Sequence, residues 1–342
     1  WSPLPSGDGQ RLSLTASSNG IYYQNYSLSF TEPWLGGEKP NSLTVSLYKS
    51  ISSNGQQDEQ REAIEITGLT LGLGKRLNSP DDYFTLYNGI NLQQYKLINS
   101  QSFFSFRNGF SNNVNYNMKL GRNSVDQLIF PRRGSNFLLS LKVTPPYSIF
   151  DGVDDYSTIS DQEKYSWIEY YKWKFKSSWF TSFTDKLVLN TRVEMGLLGS
   201  YNKNLGVAPF ERFYVGGDGM SGMGYQFDGR ELISLRGYQN NKVSSETGAT
   251  IYSKYTTELR YALSLNPSST MYALGFIEAG NAWDSFDNFN PFGVKRSVGF
   301  GVRIMLPMIG MMGLDYGWGL DEIPLWPNAN GGQFHFSIGQ QF

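Results

Sequence analysis

Cysteine is absent from the 342 residues, and histidine occurs once. The first absence removes disulfides and thiolate metal sites. The second leaves His335 as the sole imidazole for acid–base chemistry. Charge of one sign is also missing: 29 basic side chains stand against 30 acidic ones, whereas a general nucleic-acid binder carries a basic excess. No apolar run approaches the roughly 18 residues of a helical membrane span. The opening WSPLPSGDGQ has neither the basic start nor the apolar stretch of a signal peptide, as expected of a mature chain or of a segment cut from a longer one. Only 39% of residues are hydrophobic, yet 15% are aromatic, with 22 Tyr, 23 Phe and 8 Trp. A soluble domain of this length would bury a large aliphatic interior. A wet-centred membrane barrel needs one apolar residue in two, plus aromatic girdles.

What the chain does have is a two-residue rhythm. Tyr26, Leu28 and Phe30 alternate with Ser27, Ser29 and Thr31; Phe137, Leu139, Leu141 and Val143 share one face. In YKWKFKSSW, Tyr171, Trp173, Phe175 and Trp179 oppose Lys172, Lys174 and Lys176, and three lysines on one face call for water. Val298, Phe300, Val302, Ile304 and Leu306 alternate with Ser297, Gly299, Gly301 and Arg303. The last segment sets Phe334, Phe336, Ile338 and Phe342 against His335, Ser337 and Gly339. The alternation predicts fourteen strands, near 10–17, 21–32, 42–50, 63–76, 83–98, 113–127, 135–145, 165–181, 186–199, 251–263, 270–282, 295–306, 311–320 and 332–342. Tight turns (LNPSS, FPRRG, LPMIG) alternate with long polar ones (SNGQQDEQREA, DGVDDYSTISDQE, DEIPLWPNANGG). Short on one side and long on the other is the pattern of an outer-membrane barrel. A β-sandwich or propeller is disfavoured because lysine triplets opposite Trp and Phe do not suit two protein-covered faces. The predicted fold is an all-β, transmembrane antiparallel β-barrel over residues 1–342, with no internal repeat or second domain.

Few residues invite chemistry. His335 could pair with Ser337 or Asp315, but no nucleophile motif surrounds it, and a hydrogen-bonding histidine in the lumen is the better reading. GGDGMSGMG lacks the Lys-Ser/Thr and the helix of a phosphate loop. Asp151, Asp154, Asp155, Asp161 and Glu163 lack EF-hand spacing and suit a solvated loop better than Ca²⁺. No catalytic residue, metal or cofactor is assigned. One stretch stands out: some fifty residues without a convincing strand, opening with PFERFYVGGDG and closing on Arg236, Gly237 and Tyr238. Its aromatics argue against free exposure. If it folds into the lumen, Arg236 needs carboxylates, because an unpaired buried charge costs several kcal/mol. Glu258, on the polar face with Lys254, Thr256 and Arg260, and Glu278, the one charge of its strand, fit that need; there the alternation is blurred by Tyr272, Leu274 and Phe276. The alternative is an exposed arginine in a mobile loop.

ERFYVGG (Glu211, Arg212, Phe213, Tyr214, Gly216 and Gly217 among them) followed by LRGY resembles the paired signatures of BamA-type outer-membrane assembly factors, of the POTRA-barrel insertase superfamily. SFTEPWLGG (29–37), IFPRRGS (129–135), IEAGNAW (277–283) and the aromatic terminus Phe342 add to the resemblance, in family order along nearly the whole chain. The longer insertion GMSGMGYQFDGRELIS looks like the Bacteroidota-type version. The resemblance implies that Arg236, Gly237 and Tyr238 form the tip of a loop folded into the lumen, with Glu258 and Glu278 as its acidic partners on the wall. It also implies a barrel of sixteen strands, so the first two strands and the periplasmic POTRA modules would lie upstream of Trp1. The implied function is not enzymatic. It is the folding and insertion of other β-barrel proteins into the bacterial outer membrane by strand templating at a lateral seam. The C-terminal segment with Phe334, Phe336, Ile338, Gly339 and Phe342 would serve as seam strand and sorting signal. Implied partners are unfolded outer-membrane protein clients, accessory outer-membrane lipoproteins or other assembly-complex subunits, and the lipid and lipopolysaccharide of that membrane; nucleic acid is not among them. A two-partner-secretion transporter of the same superfamily, a passive porin and an outer-membrane hydrolase are the competing readings.

Overall fold

A strand with one apolar face must cover it, and in lipid only a sheet that closes on itself also satisfies the backbone. The computed structural model describes residues 9–37, 41–100, 105–153, 155–220, 230–266, 269–307 and 310–338. The chain forms β1 (Arg11–Asn19), β2 (Tyr23–Glu32), β3 (Asn41–Ser53), β4 (Ala63–Arg76), β5 (Phe84–Ile98), β6 (Gly109–Asn123), β7 (Arg133–Val143), β8 (Tyr171–Ser182) and β9 (Leu187–Gly199) as an antiparallel meander. The long connection then carries β10 (Phe213–Val215) and β11 (Glu231–Ile233), and β12 (Ile251–Ser264) pairs with β9 beyond it. β13 (Met271–Trp283), β14 (Lys295–Leu306), β15 (Gly310–Gly319) and β16 (Gly331–Ile338) complete a fourteen-stranded sheet, that of a transmembrane β-barrel. Among the described residues the end strands β1 and β16 do not pair with each other.

All fourteen predicted strands are present, and three local departures have physical causes. The strand expected over 165–181 begins at Tyr171. Before it, residues 166–168 lie along β6, with Asn112 N–H donating to Ser166 O at 2.8 Å and Ile168 N–H to Asn112 O at 2.9 Å, beyond the point where β7 ends. The strand expected over 113–127 runs over Gly109–Asn123, because the Asp126 carboxylate accepts the N–H groups of Arg132 and Arg133 and turns the chain early. The fifty-residue connection, expected to be free of strand, contains the parallel β10–β11 pair.

Outward side chains such as Leu73, Ile90, Trp173, Leu259, Ile277 and Phe300 are exposed on the barrel's surface, as a lipid-facing belt requires. Inside, the apolar residues gather in two clusters. One, at the end with the short turns, includes Phe130, Phe180, Val188, Tyr272, Leu274 and Phe276. The blurred alternation of β13 thus has a cause: its three apolar residues face inward and floor the lumen. The other, toward the long loops, joins Tyr95, Tyr170 and Leu198 of the wall to Phe210, Phe213 and Tyr238 of the connection.

Candidate functional site

The two halves of the loop signature meet through their backbones. Gly217 N–H donates to Leu235 O at 3.1 Å and Leu235 N–H returns the bond to Gly217 O at 3.0 Å, while Gly216 N–H donates to Ile233 O at 3.0 Å. Gly217 adopts φ +75°, and a Cβ there would overlap the Asn240 side chain. This ladder sets Arg236 at the innermost point of the turn, where its side chain is fully buried.

Arg236 Nη2 donates to Glu258 Oε1 and to Glu278 Oε1, both at 2.8 Å, and Nη1 lies 3.5 Å from Asp315 Oδ1. Its backbone N–H donates to Glu278 Oε2 at 2.9 Å. The three carboxylates are themselves held by the wall. Arg260 Nη2 lies 2.6 Å from Glu258, Lys254 Nζ lies 3.2 Å from Glu278, and Arg303 Nη2 lies 2.9 Å from Asp315. Four cations therefore share three carboxylates, and every member is nearly or fully buried. Such pairs contribute little net stability against an apolar replacement, but losing one partner strands a buried charge, at a cost of about 3–5 kcal/mol. The arrangement is one that specifies a single loop position.

Gly237 follows at φ +86°. A Cβ there would stand 2.6 Å from Gly319 N and 2.7 Å from Trp318 C, so only glycine lets the tip lie against β15. Its N–H donates to His335 Nε2 at 2.8 Å. Tyr238 is buried, and its hydroxyl donates to Arg296 O at 2.7 Å.

A second set of ion pairs, of opposite polarity, holds the stem of the loop. Lys142 Nζ lies 3.2 Å and Lys172 Nζ 3.0 Å from Glu211, while Lys172 and Lys174 lie 2.7 and 2.6 Å from Glu231. Burial alone would raise the Glu211 carboxyl, but Lys142 and Lys172 outweigh it and hold it at about 2. Glu211 sits at φ +65°, a left-handed conformation that costs a residue with a Cβ roughly 1–2 kcal/mol. Arg212 fixes the same turn, its Nη2 donating to Val207 O at 2.7 Å and its Nε to Ala208 O at 3.1 Å. Phe213 and Tyr214 are buried behind it. The lysine face of β8 is thus only partly left to water: loop carboxylates meet Lys172, which is buried, and Lys174, which stays partly exposed, while the exposed Lys176 lies 3.3 Å from Glu194.

Strand alternation and the loop signature single out Arg236, Glu258 and Glu278 but do not connect Asp315, Arg260, Arg303, Lys254 or Glu231 to the loop. A signal existed for the first four, each of which lies on the polar face of its strand. On β16, Phe334, Phe336 and Ile338 point outward and are exposed; Gly339 and Phe342 lie outside the described residues. Ser337 is buried. In the acidic loop, Asp151 accepts from Tyr156 Oη at 2.6 Å and Asp155 from Ser157 N–H at 2.9 Å. Asp161 and Glu163 lie in the first turn of a short helix capped by Ser160. Asp154 is outside the described residues, among which no group of three metal-capable side chains occurs.

A family model for the Omp85 superfamily domain matches residues 6–342. No curated protein matches the sequence. Among solved structures, BamA from Haemophilus ducreyi lacking POTRA domains 1–3 superposes with a TM-score of 0.69 at 19% identity, over 96% of this chain and 64% of that one. CdiB from Escherichia coli superposes with a TM-score of 0.50 at 14% identity, over 92% and 52% of the two chains. For CdiB from Acinetobacter baumannii the values are 0.50, 12%, 96% and 53%. At these identities the likeness is one of fold, and the chain spans less than two thirds of each structure.

Proposed function

We propose, from the premise that the chain belongs to the Omp85 superfamily, that it is the barrel of an insertase that folds other β-barrel proteins into the bacterial outer membrane. The observation that carries this reading is the occupied lumen. Passage of a polypeptide through it would require Arg236 to leave three carboxylates, Glu211 and Glu231 to leave their lysines, and two apolar clusters to separate. Each uncompensated buried charge costs several kcal/mol. Work at a sheet edge disturbs none of this. An edge strand templates an incoming strand through backbone hydrogen bonds, and the aromatic-rich C-terminal strand β16 is the one we assign to that role. Phe334, Phe336 and Ile338 then contribute the lipid-facing side of that edge, and Gly339 and Phe342 belong with them to the sorting signal.

In this reading the clasp of Arg236 with Glu258, Glu278 and Asp315 keeps the wall rigid while the seam works, and no covalent step is involved. The protein is, in the same reading, of Bacteroidota type. Unfolded outer-membrane proteins are its clients, with accessory lipoproteins or other assembly-complex subunits and the surrounding lipid and lipopolysaccharide as partners. Depletion in the native organism tests this. Assembly of outer-membrane β-barrel proteins in general should fail; normal assembly, with loss of a single secreted polypeptide instead, would identify a transporter.

A further inference from the structure

The hydrogen bond between Gly237 and His335 joins the loop tip to the last strand, and its chemistry is one-sided. A backbone N–H can only donate, so His335 Nε2, 2.8 Å away, must present its lone pair. The imidazole is buried, and a neutral ring in this position keeps its proton on Nδ1. Charged groups face it from every side. Asp315 is its cross-strand partner on β15 and is held by Arg303 of β14 at 2.9 Å. Glu278 of β13, with Arg236 and Asp218 of the loop, supplies the remaining field.

We propose that His335 is a positioning residue: as an acceptor at Nε2 it ties the Arg236-Gly237 tip to β16, and its protonation releases the tip from that strand. Protonation would place an N–H opposite the Gly237 N–H and add a cation beside Arg236. The bond cannot survive that change. Arg236 would still hold β12, β13 and β15 through Glu258, Glu278 and Asp315, so the release is confined to β16. The inference deepens the insertase reading, since it makes the grip of the loop on the proposed working edge dependent on proton activity.

The test uses hydrogen exchange at the Gly237 amide of the purified protein in detergent, across about pH 4 to 8, a window that reaches well to the acid side of the ordinary histidine value of about 6.5. Wild type is compared at each pH with His335→Gln and His335→Ala, which cancels the intrinsic pH dependence of exchange. A glutamine carbonyl can accept where Nε2 does, and it does not titrate. Wild type and His335→Gln should match at the upper end. On acidification the wild-type amide should exchange roughly tenfold faster than that of His335→Gln, the scale of one lost hydrogen bond. His335→Ala should be fast throughout. A wild-type to His335→Gln ratio that stays flat with pH would overturn the proposal, as would a His335→Gln as fast as His335→Ala. If His335→Ala fails to fold, the wild-type and His335→Gln series still decides. None of these outcomes depends on client assembly, so failure of the insertase reading in depleted cells is a separate result.

Discussion

The guanidinium carbon of Arg236 lies 3.6 Å from the centre of the Phe276 ring, and Phe276 is the cross-strand partner of Glu258. The cation is thus held between an aromatic face and carboxylates, in a dry part of the lumen where both interactions are strong. An apolar residue on the inner face of a barrel strand, unexpected in a wet lumen, is the platform for the charge at the loop tip.

Phe276→Leu should therefore cost more than its change in apolar area. The floor cluster keeps a side chain of similar hydrophobicity, but the ring's attraction for the guanidinium, about 2 kcal/mol when desolvated, is lost. Heat-dependent migration of the detergent-solubilised barrel on a gel would read this as a lower unfolding midpoint. An unchanged midpoint would show that the ring contributes only bulk.

Arg236→Lys should behave more like Arg236→Ala than like wild type. One ammonium has no planar fork with which to meet Glu258, Glu278 and Asp315 together; each carboxylate keeps its wall cation, Arg260, Lys254 or Arg303, so the loss is that of one or two charge-assisted hydrogen bonds, about 1.5–3 kcal/mol each. Glu258→Gln combined with Glu278→Gln should produce a comparable fall in folded yield from the other side of the clasp. Protease susceptibility of residues 200–250 measures both; a lysine variant as resistant as wild type would contradict the reliance on guanidinium geometry.

How far these contacts can be read from sequence depends on whether alternation alone is enough. The two-residue period places Glu258 on the same face as Arg260, and the length of each apolar face marks the membrane strands. Alternation says nothing about which lumenal groups meet across the barrel. Asp315 reaches Arg236 from a residue 79 positions away, and Arg303 reaches Asp315 from the neighbouring strand. Lys172, Lys174 and Lys176 read as water-facing because the carboxylates that neutralise the first two arrive on the loop, not on a strand. The β10–β11 pair was equally hidden. Three residues are too few for a period, and the pair joins segments of the loop that lie some 18 residues apart, Phe213 opposite Glu231.

Gly237→Ala should be among the most damaging single-methyl additions in the chain. The new Cβ must occupy space 2.6 Å from Gly319 N and 2.7 Å from Trp318 C, both backbone atoms of or beside β15 that cannot rotate away, and φ +86° adds roughly 1–2 kcal/mol. The tip should lift from the wall, lengthening the Gly237 bond to His335 and exposing Tyr238. Increased tyrosine reactivity at Tyr238, with the strand content unchanged by circular dichroism, would be the expected pair of results. Normal protection of Tyr238 would refute it.

Acid should weaken the stem of the loop through Glu211. Its carboxyl is held at about 2, against an ordinary value of 4.5, so the unfolded chain binds the proton more readily than the folded one between those limits. The stabilisation is fully present above pH 4.5, declines as pH falls, and is gone below about 2. Its size is on the order of 3 kcal/mol at neutral pH as an upper bound, and about 2 kcal/mol less at pH 3. The difference in unfolding free energy between wild type and Glu211→Gln should narrow by that amount on going from neutral pH to pH 3, since the other titrating groups are common to both proteins. Lys172→Met should abolish most of the narrowing, because removal of one ammonium lets burial raise the carboxyl again. A wild-type to Glu211→Gln difference that is constant with pH would mean that the lysines position the loop without holding the charge on Glu211.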